Sequence, residues 1–269
     1  MVEFTDANKL LYSYNNIPDD VHKQIERDAC GLKELLVQTI AKSHPERPNT
    51  VYPTEYDHCM NFLKHFTSVY TLNYDLLIYW AYMNEEEKNK SDDGFRKPTY
   101  EPDASYVSWE SSQSHGQNLW FLHGALHVFD TGTEIKKFTW KNTGIALIDQ
   151  IRQALDKNMF PVFVAEGTSK EKLEKIKHSD YLAKAYRSFQ EIQGSLFIYG
   201  HSLAENDEHF LKLIEKGKLE HIYVGIYGNP EDDFNKKIIK RAELMKLNRS
   251  GKHTLECSFY DSSTANVWK

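Results

Sequence analysis

Residues able to do chemistry cluster at one kind of place in this chain: immediately after short apolar runs. Thr71-Leu72-Asn73-Tyr74-Asp75 follows one run, His123-Gly124 a second, Glu166-Gly167-Thr168-Ser169 a third, Gly200-His201-Ser202 a fourth and Gly228-Asn229 a fifth. Glycine lets a ligand's phosphate or sugar approach the backbone closely. The first N–H groups of a following helix favour an anion. A histidine such as His123 titrates close to neutral pH and can move a proton. A local role is open to several of them as well: Asn73, Ser202 and Asp207 are residue types that cap helices, and Glu166 reads as a cap more than as a catalyst. His123 and His127 are four apart and could offer two imidazoles to one ion. No zinc-protease glutamate accompanies them and Gly124 weakens a helix there, so no metal is expected.

The elements that must position these residues are strands and helices in alternation. Short apolar runs rich in β-branched and aromatic residues predict strands at 68–72, 119–122, 160–165, 196–199, 221–226 and 254–259, the central four covered on both faces. Apolar spacing predicts helices over 55–66, 145–156, 207–215 and 232–247, and a pair over 170–192 broken near Ser179-Asp180. The first 65 residues read as helical, with a break at Gly31 and an end at Pro45 and Pro48. Such alternation implies an α/β fold with a Rossmann-like, mainly parallel sheet flanked by helices, one domain over 1–269. In such sheets ligands bind beyond the carboxyl ends of the strands, where the polar residues above fall. Residues 84–117 are too long for a simple connector and read as an inserted lid or small subdomain. Residues 129–142 read as a hairpin turning at Thr131-Gly132-Thr133.

Composition narrows the class. The 269 residues are 40% hydrophobic and 27% charged, with 13 Gly and 8 Pro, which excludes collagen-like and largely disordered chains. A net charge of -6 gives no general reason to bind nucleic acid or anionic membrane, and the basic stretch Lys236-Lys237 with Lys240-Arg241 adjoins Glu231, Asp232 and Asp233. No apolar stretch approaches the roughly 20 residues of a membrane span. The three cysteines, Cys30, Cys59 and Cys257, are far apart and form no CxxC pair, as expected of thiols in a reducing, cytoplasmic setting.

Taken in order, Thr71-x-Asn73-x-Asp75, His123-Gly124, Phe160-Pro161-Val162-x-Val164-x-Glu166 and Gly200-x-Ser202-Leu203 resemble the motif series of the Sir2-like (sirtuin) superfamily. Residues 70–80, 119–129 and 196–214 look particularly like the bacterial DUF4917 group. The resemblance covers roughly residues 60 to 260. It implies NAD as substrate, cleaved at its N-glycosidic bond to nicotinamide and ADP-ribose, in a bacterial defence or toxin role. It implies that Asn73 orients a water, that Asp75 lines the nicotinamide-ribose pocket, and that His123 is the base. Thr71, Gly124, Gly200, His201, Ser202 and Asn229 would line the rest of the NAD pocket. Three departures qualify it. The paired cysteines of zinc-bearing deacetylases are missing, so no zinc is expected. His201 stands where the family has threonine. No G-x-G string occurs before residue 60, where the family cradles the pyrophosphate. Self-association, or a partner chain completing the pocket, is therefore expected. The alternative reading is a catalytically inactive nucleotide-binding or assembly module of the same fold.

Overall fold

The computed structural model describes residues 18–84, 91–101, 103–138, 146–157, 159–164 and 167–269. In chain order the elements are α1 (Asp19–Ser43), α2 (Pro53–Leu63), β1 (Val69–Thr71), α3 (Leu77–Asn84), β2 (Phe95–Arg96), β3 (Tyr106–Trp109), β4 (Leu119–Phe121), β5 (Gly124–Asp130), β6 (Ile135–Phe138), α4 (Leu147–Asp156), β7 (Phe160–Phe163), α5 (Ser169–His178), α6 (Asp180–Gln190), β8 (Gln193–Ile198), α7 (Glu208–Lys216), β9 (Lys218–Ile226), α8 (Asp233–Leu247) and β10 (Glu256–Asp261). The fold is mixed α/β, with parallel strand pairing and flanking helices. Among the described residues no helix is long and apolar enough to cross a membrane.

The chain divides into two compact units, residues 1–51, 96–108 and 126–162 in one and 52–95, 109–125 and 163–269 in the other. In the first, α1 packs on α4. Ile151, Ala154 and Leu155 put a fully buried stripe on α4, the i, i+3, i+4 pattern of a helix facing a core. α1 runs 25 residues straight through Gly31, so the expected break is absent. A single glycine costs a helix only about 1 kcal/mol, too little to end one this long. β5 and β6 pair antiparallel around the Thr131–Glu134 turn, as the hairpin reading requires; residues 139–142 of that reading lie outside the described residues. The five-stranded sheet has the order β2-β3-β6-β5-β7, so parts of the long 84–117 segment supply two of its strands.

The second unit holds two parallel sheets, β1-β4 and β10-β9-β8. Tyr181 of α6 is fully buried, and its hydroxyl accepts from the Phe121 N–H at 3.3 Å, which ties α6 to β4. Ser179 separates α5 from α6 by accepting from Leu182 N, the break expected at that position. Among the described residues, β8 departs from the expected cover on both faces. β9 buries Leu219, Ile222, Val224 and Ile226, while Phe197 is 44% exposed on its neighbour. Phe197, Tyr223 and His221 stack face to face, 4.4 Å and 4.1 Å between centroids, so the aromatic run covers itself in part. Gly194 pairs with Leu219 but Ser195 with His221, so Glu220 is the extra residue of a bulge that keeps Leu219 and Ile222 on one face.

Candidate functional site

The site is built on one carboxylate. Asp207 precedes the first turn of α7 at the N-cap position, yet its side chain makes no capping bond. It turns instead to Lys172 Nζ, 2.9 Å from Oδ1, and to His201 Nε2, 3.1 Å from Oδ2. His123 Nε2 lies 3.5 Å from the same Oδ1. His209, in the first turn of α7, has its ring 5.9 Å from that of His123, centroid to centroid. Two helix starts converge here, since Ser169 and Lys172 belong to the first turn of α5. That turn is fixed by a capping box in which Thr168 and Glu171 satisfy each other's backbone N–H. A helix N-terminus favours negative charge, and Asp207 sits at one.

Local bonds fix the rings. His201 Nδ1 accepts from Leu203 N at 3.0 Å, so Nε2 carries the proton donated to Asp207. That bond holds Leu203 at φ +52, left-handed backbone that a branched side chain rarely adopts. His123 hydrogen-bonds the backbone of Leu72, while its Nε2, buried, has no hydrogen-bond partner. The Ser169 hydroxyl accepts from His209 N at 2.8 Å and meets His209 Nδ1 at 3.0 Å, and His209 Nε2 is likewise buried without a partner.

Burial and charge set the protonation. Burial pushes His123 down to about 4; the Asp207 carboxylate pulls the other way, and Lys172 and His201 add to the downward push. Burial also takes His209 to about 4, assisted by His123. For Asp207 burial acts upward, but the hydrogen bonds from His201 and Lys172 outweigh it and hold the carboxyl well below the usual carboxylate range. At neutral pH the cluster therefore contains one carboxylate and neutral imidazoles at His123 and His209.

Of the residues singled out from sequence, His123 and His201 meet on Asp207. Thr71 and His123 close the same two parallel strands, Thr71 pairing with Phe121 in register and its carbonyl accepting from Leu122 N at 2.8 Å. Gly124 (φ +79), after β4, and Gly200 (φ +66), after β8, both use left-handed backbone. Asn73 and Ser202 are exposed. Asp75 Oδ1 accepts from Leu77 N at 2.9 Å and so caps α3, and Asn229 Oδ1 accepts from Glu231 N at 3.0 Å in the turn after β9. Glu166 lies outside the described residues. Three members of the cluster went unassigned from sequence: Asp207 was read as a cap, Lys172 and His209 not at all. The available signal was Lys172 four residues before Ile176, a lysine on the apolar face of α5, where burial demands a counter-charge.

The geometry defines an α/β protein with a buried His-Asp-Lys cluster at the carboxyl end of a parallel strand pair. Residues 3–268 match the family described as a domain of unknown function, DUF4917, and the chain belongs to it. No curated protein and no solved structure matches the chain.

Proposed function

We propose that the chain is a Sir2-like protein that binds NAD and hydrolyses it to nicotinamide and ADP-ribose. The observation that carries the reading is His123: it follows β4 beside the Thr71-Leu72-Asn73 segment, its ring is held by the Leu72 backbone, and its free Nε2 faces Asp207 at 3.5 Å. In the reaction a water oxygen bonds to the ribose carbon as the carbon–nitrogen bond breaks. The bonding pair neutralises the pyridinium, and nicotinamide leaves uncharged. The water's proton passes to His123 Nε2, and Asp207 stabilises the imidazolium that results. Asn73 orients the water; Asp75, Thr71, Gly124, Gly200, His201, Ser202 and Asn229 line the nucleotide path in this reading. The same resemblance carries a cytoplasmic defence or toxin role and self-association, which light scattering of the purified chain tests.

A second reading has its own support. The His123 side chain is only 7% exposed, and Asp207 already has two partners. Those facts favour a nucleotide-binding or assembly module that binds without turning over. Incubation with NAD separates the two. The hydrolase reading expects nicotinamide release that falls on the order of 100-fold or more in His123→Ala, and falls also in Asn73→Ala. ADP-ribose binding without release selects the module, and a chain that does neither removes both.

A further inference from the structure

We infer that His123, Asp207 and His209 form a binding site for a divalent first-row transition cation. One ligand atom from each lies within 4.8 Å of the other two, and all three residues are buried. Tetrahedral ligand bonds of about 2.1 Å place ligand atoms about 3.4 Å apart, so the groups need close by at most about 1.4 Å. His123 and His209 are each 5% exposed, and each leaves Nε2 buried with no hydrogen-bond partner. Burying an unpaired polar nitrogen is costly, and two in one cluster with a carboxylate call for a common occupant.

The tautomers agree. Nε2 of His123 makes no hydrogen bond, so the bond to the Leu72 backbone falls to Nδ1, which carries the proton, and Nε2 presents a lone pair. A lone pair 3.5 Å from a carboxylate oxygen is repulsive until a proton or a cation comes between them. The Ser169 hydroxyl already accepts from His209 N–H, and it can also accept from Nδ1–H, which leaves a lone pair on the buried His209 Nε2. Carbonyl and hydroxyl contacts to the distal nitrogen are the outer-shell partners that orient metal-binding imidazoles. His201 holds the second oxygen of Asp207 in the same way. Two imidazoles and one carboxylate, with further coordination positions left for water, suit zinc, iron, cobalt or manganese rather than calcium or magnesium. Lys172 opposes the cation through its contact with Oδ1, so affinity is set by competition with an ammonium.

The inference uses the side chains of the proposed active site and not the identity of the substrate. A cation held there would engage the His123 Nε2 lone pair and would supply Lewis acidity beside Asp207, so proton transfer to His123 and cation binding are alternatives for that nitrogen.

The test is titration of the chelator-stripped full chain with Co²⁺, followed by visible absorption and by metal analysis after equilibrium dialysis, without NAD. The expected result is one cobalt per chain with ligand-field bands, displaced by Zn²⁺. Loss of an outer-shell contact in Ser169→Ala weakens binding about tenfold. His209→Gln and His123→Gln weaken it on the order of 100-fold or more, because a ligand exceeds its support. Lys172→Met tightens it at least about tenfold by removing the competing charge. Circular dichroism establishes that each variant is folded, and Ser169→Ala serves if a ligand variant is not. Absence of stoichiometric binding, or binding that survives both histidine substitutions, overturns the inference. Cobalt binding without nicotinamide release upholds it while removing the hydrolase; nicotinamide release by metal-free protein with no cobalt binding does the reverse.

Discussion

Two histidines four residues apart, His123 and His127, are both almost fully buried, yet they belong to different units of the chain and face opposite electrostatics. Around His123 an acid is present, and Asp207 works against the burial that lowers its pKa. Around His127 burial is reinforced by Lys137 and His44, so every influence holds the ring neutral, well below its ordinary value. The difference shows what makes a buried histidine chemically useful. Burial alone removes the charged state, whereas burial beside a carboxylate leaves a lone pair that has somewhere to pass a proton or to hold a cation. His127 is accordingly read as part of the core of its unit, and His123 as part of a site.

The comparison breaks most sharply at Asp207. Replacing it with Ala strands the Lys172 ammonium, 4% exposed at its side chain, and should cost about 3–5 kcal/mol in chemical denaturation and abolish nicotinamide release. Should the variant be as stable as wild type, the ion pair is not the organising contact described here. His127→Ala is expected to cost less, about 2–3 kcal/mol from the void left in a filled core. Its turnover per folded molecule should match wild type, and a turnover defect equal to that of His123→Ala would erase the distinction between the two rings.

Acid sharpens the comparison further. His127 has a folded pKa below its unfolded value of about 6.5, so the unfolded chain binds the proton first. The stability it contributes is complete above about pH 6.5 and is lost as pH falls toward the folded pKa. His123 and His209, held at about 4, act in the same sense between about 6.5 and 4. Unfolding free energy measured from pH 7 to pH 5 should therefore fall, and His127→Leu should remove only the first unit's share. A flat profile in wild type would mean that these rings are not held neutral by the fold.

Much of the framework was legible because local signals agree with one another. The strand runs at 119–122 and 221–226 and the helix break at Ser179-Asp180 each combine apolar spacing with a cap or turn residue. The sheet faces were not legible, since Leu196–Tyr199 reads as apolar whether a second layer covers Phe197 or a neighbouring Tyr223 stacks on it. The site was legible in half. His123 and His201 stand out because imidazoles at strand ends are unusual. Asp207 does not, because an aspartate before a helix is the most ordinary of caps, and only the fold reveals that its side chain looks away from the helix it begins. Lys172 pairs with it across 35 positions, a separation at which no local pattern reports.

Gly31 carries the smallest effect and separates stability from chemistry most cleanly. It lies inside α1 in the first unit, exposed, and a methyl group added there meets no atom within 4 Å. Its backbone is helical, so alanine adopts it without strain and restricts the unfolded chain more than glycine does. Gly31→Ala should therefore stabilise the protein by about 0.5–1 kcal/mol in denaturant unfolding. It should leave nicotinamide release and cobalt binding at wild-type values, because every residue of the cluster lies in the second unit. Stabilisation accompanied by a change in either readout would show that α1 influences the cluster, and the contrast between a structural unit and a chemical one would then have to be redrawn.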